Sequence, residues 1–350
     1  MDAALVTKVL VAFGPALVLL FVFDRLDVFN LISSRDIALL LGAGGSLAAL
    51  SFLANWRVMD GFPIGFSAYS RYVAPLIEEG LKAAPIIGAF ALNRLGFKVD
   101  AAIAGFAVGA GFAAVENAWY LATLTDANVS AWLVRGFGTA IMHGGATALF
   151  AVITHELTER QAETAATRYR FNPVLFAPGL VLAVAIHSAF NHFPSQPLFI
   201  MAVTLLLVPA TLFLTLARSE RATQQWLKSD EAAHRQALAD IRAGRFGETA
   251  PGLAIQAIAA RLPPARADDA FTYVELKTEL ILRAEELILA AQGGAKDEVG
   301  VAEKEKFERL DALEGRLGKS IVAAISSRLA FTRNDLWELG RLRERADTIA

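Results

Sequence analysis

Seven apolar segments, each about 20 residues long, dominate the first 217 residues of this 350-residue chain. A helix needs about 20 mainly apolar residues to cross the hydrocarbon core of a bilayer. Backbone N–H and C=O groups find no water there, so segments of this length cross it as hydrogen-bonded helices. The segments are 3–23, 36–54, 72–93, 100–123, 131–154, 173–193 and 196–217. The sequence therefore predicts an all-α, polytopic membrane helix bundle of about seven spans.

Charged residues divide the chain into two regions. Residues 1–217 hold 12 Lys/Arg and 13 Asp/Glu, whereas residues 218–350 hold 21 and 22. This distribution predicts a transmembrane domain over 1–217, in contact with the lipid bilayer, and a soluble helical domain over 218–350. The formal net charge of −2 argues against nucleic acid as a partner. The chain contains no cysteine, which excludes thiolate metal sites and a cysteine nucleophile.

Two amphipathic helices are predicted in the soluble domain, at 269–291 and 303–329. A loop at Gly293-Gly294 would join them as an antiparallel hairpin. Thr332 or Asn334 can cap a final helix. His234 stands alone on a charged helix and is predicted to be solvated, and the domain shows no chemical motif. A protein partner is the role that we expect for this domain.

Basic residues predict the orientation of the chain, because cytoplasmic connections carry an excess of Lys and Arg. Alternate connections carry the seven residues Arg25, Arg35, Arg94, Lys98, Arg160, Arg168 and Arg170, and the opposite set carries only Lys8, Arg57 and Arg71. We therefore expect a multi-pass protein of the cell membrane with its N-terminus outside and its C-terminus in the cytoplasm. Residues 55–71, which include Pro63, are expected to form a loop or an interfacial segment.

Ionisable residues stand inside four of the predicted spans. Such groups cost at least a few kcal/mol at mid-bilayer, so they face a cavity or a partner and usually mark function. In the third span, Glu78 and Glu79 point about 100° apart on a helix, and Lys82 lies one turn beyond Glu78 and can pair with it. The other spans contribute Glu116 and Asn117, then His143, and finally His187 and Asn191, which are one turn apart.

The depths of these residues predict one shared site. Counted from the predicted outer ends, Glu78 and Glu116 lie about 7 residues in, His187 about 6 and His143 about 12, which corresponds to roughly 10–18 Å at 1.5 Å per residue. Four helices that run in alternating directions thus bring polar groups to a similar level below the outer surface.

The residue types in this set suit hydrolysis of an amide bond. A glutamate can act as general base toward water, two histidines can position that water or bind a metal, and an asparagine amide can stabilise an oxyanion. Two arrangements stay open: a metal-free glutamate protease, and a zinc-type site with His143, His187 and Glu78 as ligands. A proton-coupled transporter is an alternative, although we find no internal repeat, and a non-catalytic membrane scaffold is another.

Four motifs resemble the PrsW family of intramembrane proteases, which is distantly related to the CAAX-prenyl-protease and bacteriocin-processing group. They are Glu78-Glu79-x-x-Lys82, Gly-Phe-Ala-x-x-Glu116-Asn117, the central His143 and His187-x-x-x-Asn191. The resemblance covers about residues 70–195 and does not include the soluble domain. One departure from the wider group is that Phe137 lies six residues before His143 rather than four.

The resemblance implies an intramembrane endopeptidase. Glu78 or Glu79 would be the base, His143 and His187 would hold the water or a metal, and Asn191 would support the oxyanion. Lys82, Glu116 and Asn117 would have supporting roles. The expected substrate is a single-pass membrane protein, such as an anti-sigma factor, cleaved near the outer face. A glutamate mechanism without a cofactor is favoured over zinc, because asparagine on the face of His187 suits an oxyanion donor and is a poor zinc ligand.

Overall fold

The computed structural model describes residues 3–26, 32–123, 129–165, 171–292, 299–329 and 331–349. Helices make up most of these residues, and none of them forms a strand, so the all-α prediction is confirmed. The chain divides into two compact units. The first combines Met1–Arg160 with Phe171–Ser219, and the second combines Glu220–Ala350 with Gln161–Arg170.

Seven long helices follow one another in the N-terminal part of the chain. They are α1 (Ala3–Leu26), α2 (Ser34–Gly61), α3 (Ala74–Ala91), α4 (Lys98–Thr123), α5 (Ala140–Ala165), α6 (Ala177–Asn191) and α7 (Pro197–Arg242). Short π-helical segments lead into two of them, Tyr69–Val73 before α3 and Val134–Thr139 before α5. Such segments often occur at functional sites.

Six stretches of helix among the described residues are long and apolar enough to cross a membrane. They are Leu5–Val22, Ser34–Gly61, Lys98–Thr123, Val129–Ala162, Pro173–Asn191 and Pro197–Arg218. The remaining predicted span forms α3, whose 18 residues include three ionisable side chains. At 1.5 Å per residue α3 is about 27 Å long, close to the thickness of the hydrocarbon core. The helices thus form the expected membrane bundle, in which α3 contributes three ionisable residues within 18 positions.

Of the two alternatives predicted for 55–71, the loop is largely wrong, and the interfacial segment stays a prediction. Helix α2 continues to Gly61, and helical structure resumes at Phe66–Ala68 and in the π-helical segment that follows. Only the stretch around Pro63 leaves the helix, because proline cannot donate a backbone hydrogen bond and its ring clashes with the preceding turn. The end of α2 therefore carries its side chains alongside α3.

Close contact between α4 and α5 depends on glycine. A Cβ atom at Gly109 would stand 2.2 Å from the backbone oxygen of His143, and one at Gly105 would stand 2.5 Å from that of Thr147. Small residues four apart let helix backbones approach each other in membranes. This contact places His143 directly against Gly109 of α4, which lies two turns before Glu116 on the same helix.

Among the described residues, the second unit contains the end of α7 and five further α-helices. They are α8 (Ala250–Ala259), α9 (Pro264–Gln292), α10 (Val301–Leu317), α11 (Lys319–Ser326) and α12 (Arg333–Asp347). Leu280 of α9 and Leu310 of α10 lie in the same hydrophobic core, as expected for the two predicted helices. The predicted loop at Gly293-Gly294 lies outside the described residues.

Two expectations for this unit are wrong. The predicted helix over 303–329 is divided at Gly318, whose φ of +83° is a conformation that favours glycine and ends α10. His234 is not solvated: it is only 9% exposed, because its face of α7 packs against other helices of the unit. The cap expected before the last helix is Thr332, whose Oγ1 accepts a 3.2 Å hydrogen bond from the backbone N–H of Asp335.

Candidate active site

The two adjacent glutamates of α3 stand in different surroundings. Glu79 is buried, and its Oε1 lies 2.6 Å from Nζ of Lys82. Glu78 is partly exposed, and its Oε1 accepts a 3.0 Å hydrogen bond from Nδ2 of Asn55 on α2. Neighbouring side chains point about 100° apart on a helix of 3.6 residues per turn, which explains this separation. The expectation that Lys82 pairs with Glu78 is therefore wrong, because its partner is Glu79.

His187 of α6 lies between the two glutamates. Its Nδ1 lies 2.8 Å from Oε1 of Glu79, and its Nε2 lies 3.9 Å from Oε2 of Glu78. A carboxylate only accepts hydrogen bonds, so Nδ1 is the donor and the neutral ring keeps a lone pair on Nε2. That lone pair is on the side of Glu78. A carboxylate that accepts a hydrogen bond from one ring nitrogen of a histidine fixes both the orientation of the ring and its tautomer.

His143 of α5 is held at both ring nitrogens. Its Nδ1 lies 2.8 Å from Nζ of Lys82, and its Nε2 lies 3.1 Å from Oε2 of Glu116. A lysine ammonium group can only donate, so Nδ1 accepts this hydrogen bond and Nε2–H donates to Glu116. The ring also meets that of His187 edge to face, with 4.8 Å between the centroids. Lys82 thus joins Glu79 and His143 through one buried positive charge.

Arg135 belongs to this cluster, although the sequence analysis did not select it. Its Nη2 lies 3.2 Å from Oε1 of Glu116, and its Nε donates a 2.9 Å hydrogen bond to Oδ1 of Asn117. Its guanidinium carbon stands 3.7 Å from the centroid of the Tyr120 ring. The signal in the sequence was a basic residue inside a predicted span, which requires an acidic partner. Arg135 supplies the positive charge for Glu116.

Asn55 is the second residue that the sequence analysis missed. Its Oδ1 accepts a 2.7 Å hydrogen bond from the hydroxyl of Tyr69, which turns its NH₂ group toward Glu78. Asn55 was assigned to a loop or an interfacial segment, so its position on the last turns of α2 opposite α3 was not expected. Its contact with Glu78 is between a carboxylate and a neutral amide.

The two predicted asparagines use their amides to hold neighbouring segments. Nδ2 of Asn191, one turn after His187, donates a 2.8 Å hydrogen bond to the carbonyl of Ser70 in the π-helical segment before α3. Nδ2 of Asn117 donates a 2.9 Å hydrogen bond to the carbonyl of Ala12 on α1. Each amide nitrogen carries a second hydrogen beyond the one in that bond.

The structure brings most of the predicted site residues into one cluster and leaves the asparagines at its edge. The cluster contains Glu78, Glu79, Lys82, Glu116, His143 and His187, to which Arg135 and Asn55 are added. Asn117 contacts the cluster through Arg135, and Asn191 borders it through the segment that precedes α3.

A protein family matches the part of the chain that holds this cluster. Residues 35–217, more than half of the chain, match the family described as PrsW family intramembrane metalloprotease. The chain belongs to this family. The resemblance seen in the motifs is thereby confirmed, and the chain is an intramembrane protease. No curated protein and no solved structure matches the chain.

The part of the chain that matches the PrsW family contains the whole cluster. The match begins at the start of α2 and ends within α7, so it includes every residue from Asn55 to Asn191. Helices α8 to α12 lie outside it. Their role is therefore not covered by membership of the family.

The description of the PrsW family as metalloproteases raises the question of whether this cluster fits a metal. Glu78, His143 and His187 each offer one ligand atom, and these atoms lie within 4.8 Å of one another. Two histidines and one glutamate form the donor set of some catalytic zinc sites. Glu78 and His187 fit that role as they stand. His143 does not, because its Nδ1 accepts a hydrogen bond from Lys82 and its Nε2 donates one to Glu116. A metal at either nitrogen would have to displace one of these partners.

Proposed function

We propose that this chain is an endopeptidase in which Glu78 activates water for attack on a peptide bond of a membrane-anchored protein. One observation carries the proposal. Glu79 is paired with Lys82 and Glu116 with Arg135, whereas the hydrogen-bond partner of Glu78 among the described residues is a neutral amide. A general base must be able to accept a proton at the reacting water. Glu78 is the carboxylate of this cluster that suits the task.

The space between Glu78 and His187 suits a reacting water. Oε2 of Glu78 and Nε2 of His187 are 3.9 Å apart, too far for a direct hydrogen bond and close enough for one water to bond to both. In the proposed reaction Glu78 removes one proton of this water, and the lone pair on Nε2 of His187 holds the other. The water oxygen then attacks the carbonyl carbon of the substrate.

Collapse of the tetrahedral intermediate completes the cycle. Glu78 returns its proton to the leaving amide nitrogen, the C–N bond breaks, and the products are a carboxylic acid and an amine. The second amide hydrogen of Asn191 is the donor that we assign to the oxyanion. Removing one such donor typically lowers kcat by about 10²- to 10³-fold.

The remaining members of the cluster position the reacting groups. Glu79 orients the ring of His187, and Lys82 and Glu116 orient that of His143. We favour Glu78 acting without a metal because both ring nitrogens of His143 already contact other groups.

We further propose that the substrate is a single-pass regulatory membrane protein, similar to an anti-sigma factor, and that it is cleaved near the outer face. Two observations support this. The motifs resemble those of the PrsW family, and this resemblance implies substrates of this kind. The site residues lie roughly 10–18 Å below the outer surface when their depths are counted along the sequence. The Lys/Arg distribution supports the orientation that makes this face the outer one.

Quantitative comparison of new protein N-termini in cell membranes tests the proposal. Cells that express the wild-type chain are compared with cells that express Glu78→Gln. We expect new N-termini in single-pass proteins, within the outer half of their spans, in wild-type cells only. The amide of glutamine keeps the size of the side chain but removes the base, so the protein should still reach the membrane in normal amounts.

Two matched control variants complete the experiment. Glu156→Gln changes a glutamate on α5 that pairs with Arg160 rather than with the cluster. His192→Gln, compared with His187→Gln, changes a histidine that contacts Tyr72 instead. Both controls should leave the new N-termini unchanged. The proposal is wrong if the same N-termini persist in Glu78→Gln.

A further inference from the structure

A cluster of ionisable side chains is buried in the second unit, outside the part of the chain that matches the PrsW family. Asp230 and His234 lie one turn apart on α7, Glu285 lies on α9, and Asp335 and Glu338 lie one turn apart on α12. The sequence analysis found no chemical motif in this region, because the five residues are spread over more than 100 positions of the chain.

Four of these residues converge on one point. Asp230, His234, Glu285 and Asp335 each place one ligand atom within 4.8 Å of the others. Nδ1 of His234 lies 2.7 Å from Oε1 of Glu285, and its Nε2 lies 3.7 Å from Oδ2 of Asp335. All of them belong to the second unit, so their arrangement depends on the packing of that unit alone.

Several carboxylate oxygens of this cluster have no hydrogen-bond partner among the described residues. Glu285 and Asp335 are fully buried, and Glu338 is 1% exposed. The oxygens without a partner are Oδ2 of Asp230, Oε2 of Glu285, Oδ1 of Asp335 and both carboxylate oxygens of Glu338. A buried polar atom without a partner is unfavourable by about 1–3 kcal/mol, and more if it is charged. Five such atoms in one place indicate that something else binds them.

The charge of the cluster points to a cation. Four carboxyl groups surround one imidazole, and buried carboxylates must be compensated by positive charge or become protonated. The carboxyl group of Glu338 lies close enough to Asp335, Glu285 and Asp230 to interact with their charges.

Protons alone do not account for this arrangement. A hydrogen bond joins the carboxyl groups of Asp230 and Asp335, so a shared proton accounts for part of the arrangement. It gives no partner to either carboxylate oxygen of Glu338 among the described residues. A divalent cation takes several oxygen ligands at once and also compensates their charge. Carboxylates and histidines that project inward from facing helices are a known way to bind metals in helical bundles.

We propose that Asp230, His234, Glu285 and Asp335 bind one divalent transition-metal ion, with Glu338 beside them as a further carboxylate ligand. The donor set decides the class of ion. Carboxylate ligands suit Mg²⁺, Ca²⁺ and Mn²⁺, whereas an imidazole ligand suits Fe²⁺ and Zn²⁺ and is rarely chosen by Mg²⁺ or Ca²⁺. Several carboxylates with one imidazole therefore favour an ion such as Mn²⁺ or Fe²⁺. This site is independent of the proposed protease mechanism.

Mn²⁺ binding to the purified full-length protein tests the proposal. After a chelator wash, the wild-type chain should bind one Mn²⁺ that also raises its melting temperature. Glu78→Gln should retain this ion, because the residue belongs to the other site. The double variant Asp230→Asn/Glu285→Gln should bind Mn²⁺ at least 10- to 100-fold more weakly, the loss that even indirect metal partners cause. Replacing buried carboxylates by amides removes charge repulsion, so we expect this variant to fold.

The adjacent positions on the same helices provide the matched control. Glu231→Gln/Glu286→Gln removes two carboxylates that contact the exposed Arg235, and it should bind Mn²⁺ like the wild type. Equal Mn²⁺ affinity in the two double variants would overturn the proposal, as would a wild-type chain that binds no Mn²⁺. Tighter binding of Ca²⁺ or Mg²⁺ than of Mn²⁺ would contradict the assigned class of ion. If Asp230→Asn/Glu285→Gln does not fold with or without Mn²⁺, these two carboxylates stabilise the unit in the absence of a cation. That result would contradict the view that only a cation compensates them.

Discussion

The contact between α4 and α5 makes a prediction about Gly109→Ala. The added Cβ would stand 2.2 Å from the backbone oxygen of His143, and ordinary contact begins at 3.4 Å, so the two helices must separate by about 1.2 Å. The neighbour is backbone, which cannot rotate away as a side chain can. The separation would displace His143 from Lys82 and Glu116. A displacement of about 1 Å at a catalytic site typically lowers activity by about 10²-fold.

The stability of Gly109→Ala should change much less than its activity. Overpacking is unfavourable by about 1–3 kcal/mol, and alanine in place of glycine in a helix offsets about 1 kcal/mol of that. The assay is kcat/KM on a substrate found from the new N-termini, together with the free energy of unfolding in detergent. We expect kcat/KM to fall by about 10²-fold while the protein remains folded.

Gly88→Ala is the matched control, because a Cβ at Gly88 in α3 meets nothing within 4 Å. This variant should keep its activity and gain up to about 1 kcal/mol of stability from helix propensity. If Gly109→Ala is as active as Gly88→Ala, the close contact does not determine the position of His143, and the argument fails.

Three further predictions concern the orientation, the buried lysine and the metal. A reporter that functions only in the cytoplasm should be active when fused after Ala350, and an exported signal would contradict the proposed orientation. Lys82→Met should destabilise the protein by about 3–5 kcal/mol in unfolding assays, because it leaves Glu79 buried without its cation; an unchanged free energy would show that the pair is unimportant. The variant Asp230→Asn/Glu285→Gln lacks the proposed second metal site, and it should retain proteolysis after a chelator wash. Activity that returns only with added zinc would refute the metal-free mechanism of Glu78.

The membrane site could largely be predicted from the sequence, because a membrane limits what ionisable residues can do. Glu78, His143 and His187 stand out in apolar spans, and the rise per residue predicts their depth. Their detailed pairing could not be predicted. Lys82 is within reach of both glutamates, and only the rotation of α3 against α5 and α6 decides that it contacts Glu79.

The cluster in the second unit could not be predicted, for a related reason. Charged residues are frequent in residues 218–350, so Asp230 and Glu285 do not stand out there as they would in a span. Which of them are buried depends on how α7, α9 and α12 pack, and periodicity predicts only that each helix has an apolar face. His234 was misassigned because a histidine on a charged helix is usually exposed.

The three ionisable residues of α3 have a consequence for how the protein is made. On insertion scales each such residue at the centre of a span is unfavourable by about 2.5–3.5 kcal/mol, so α3 by itself inserts poorly into the bilayer. Its partner Asn55 is synthesised before it, but His143 and His187 emerge about 60 and 110 residues later. We expect α3 to remain beside the translocon until α5 and α6 have been synthesised. In a nascent chain that ends before residue 140, α3 should therefore stay outside the bilayer.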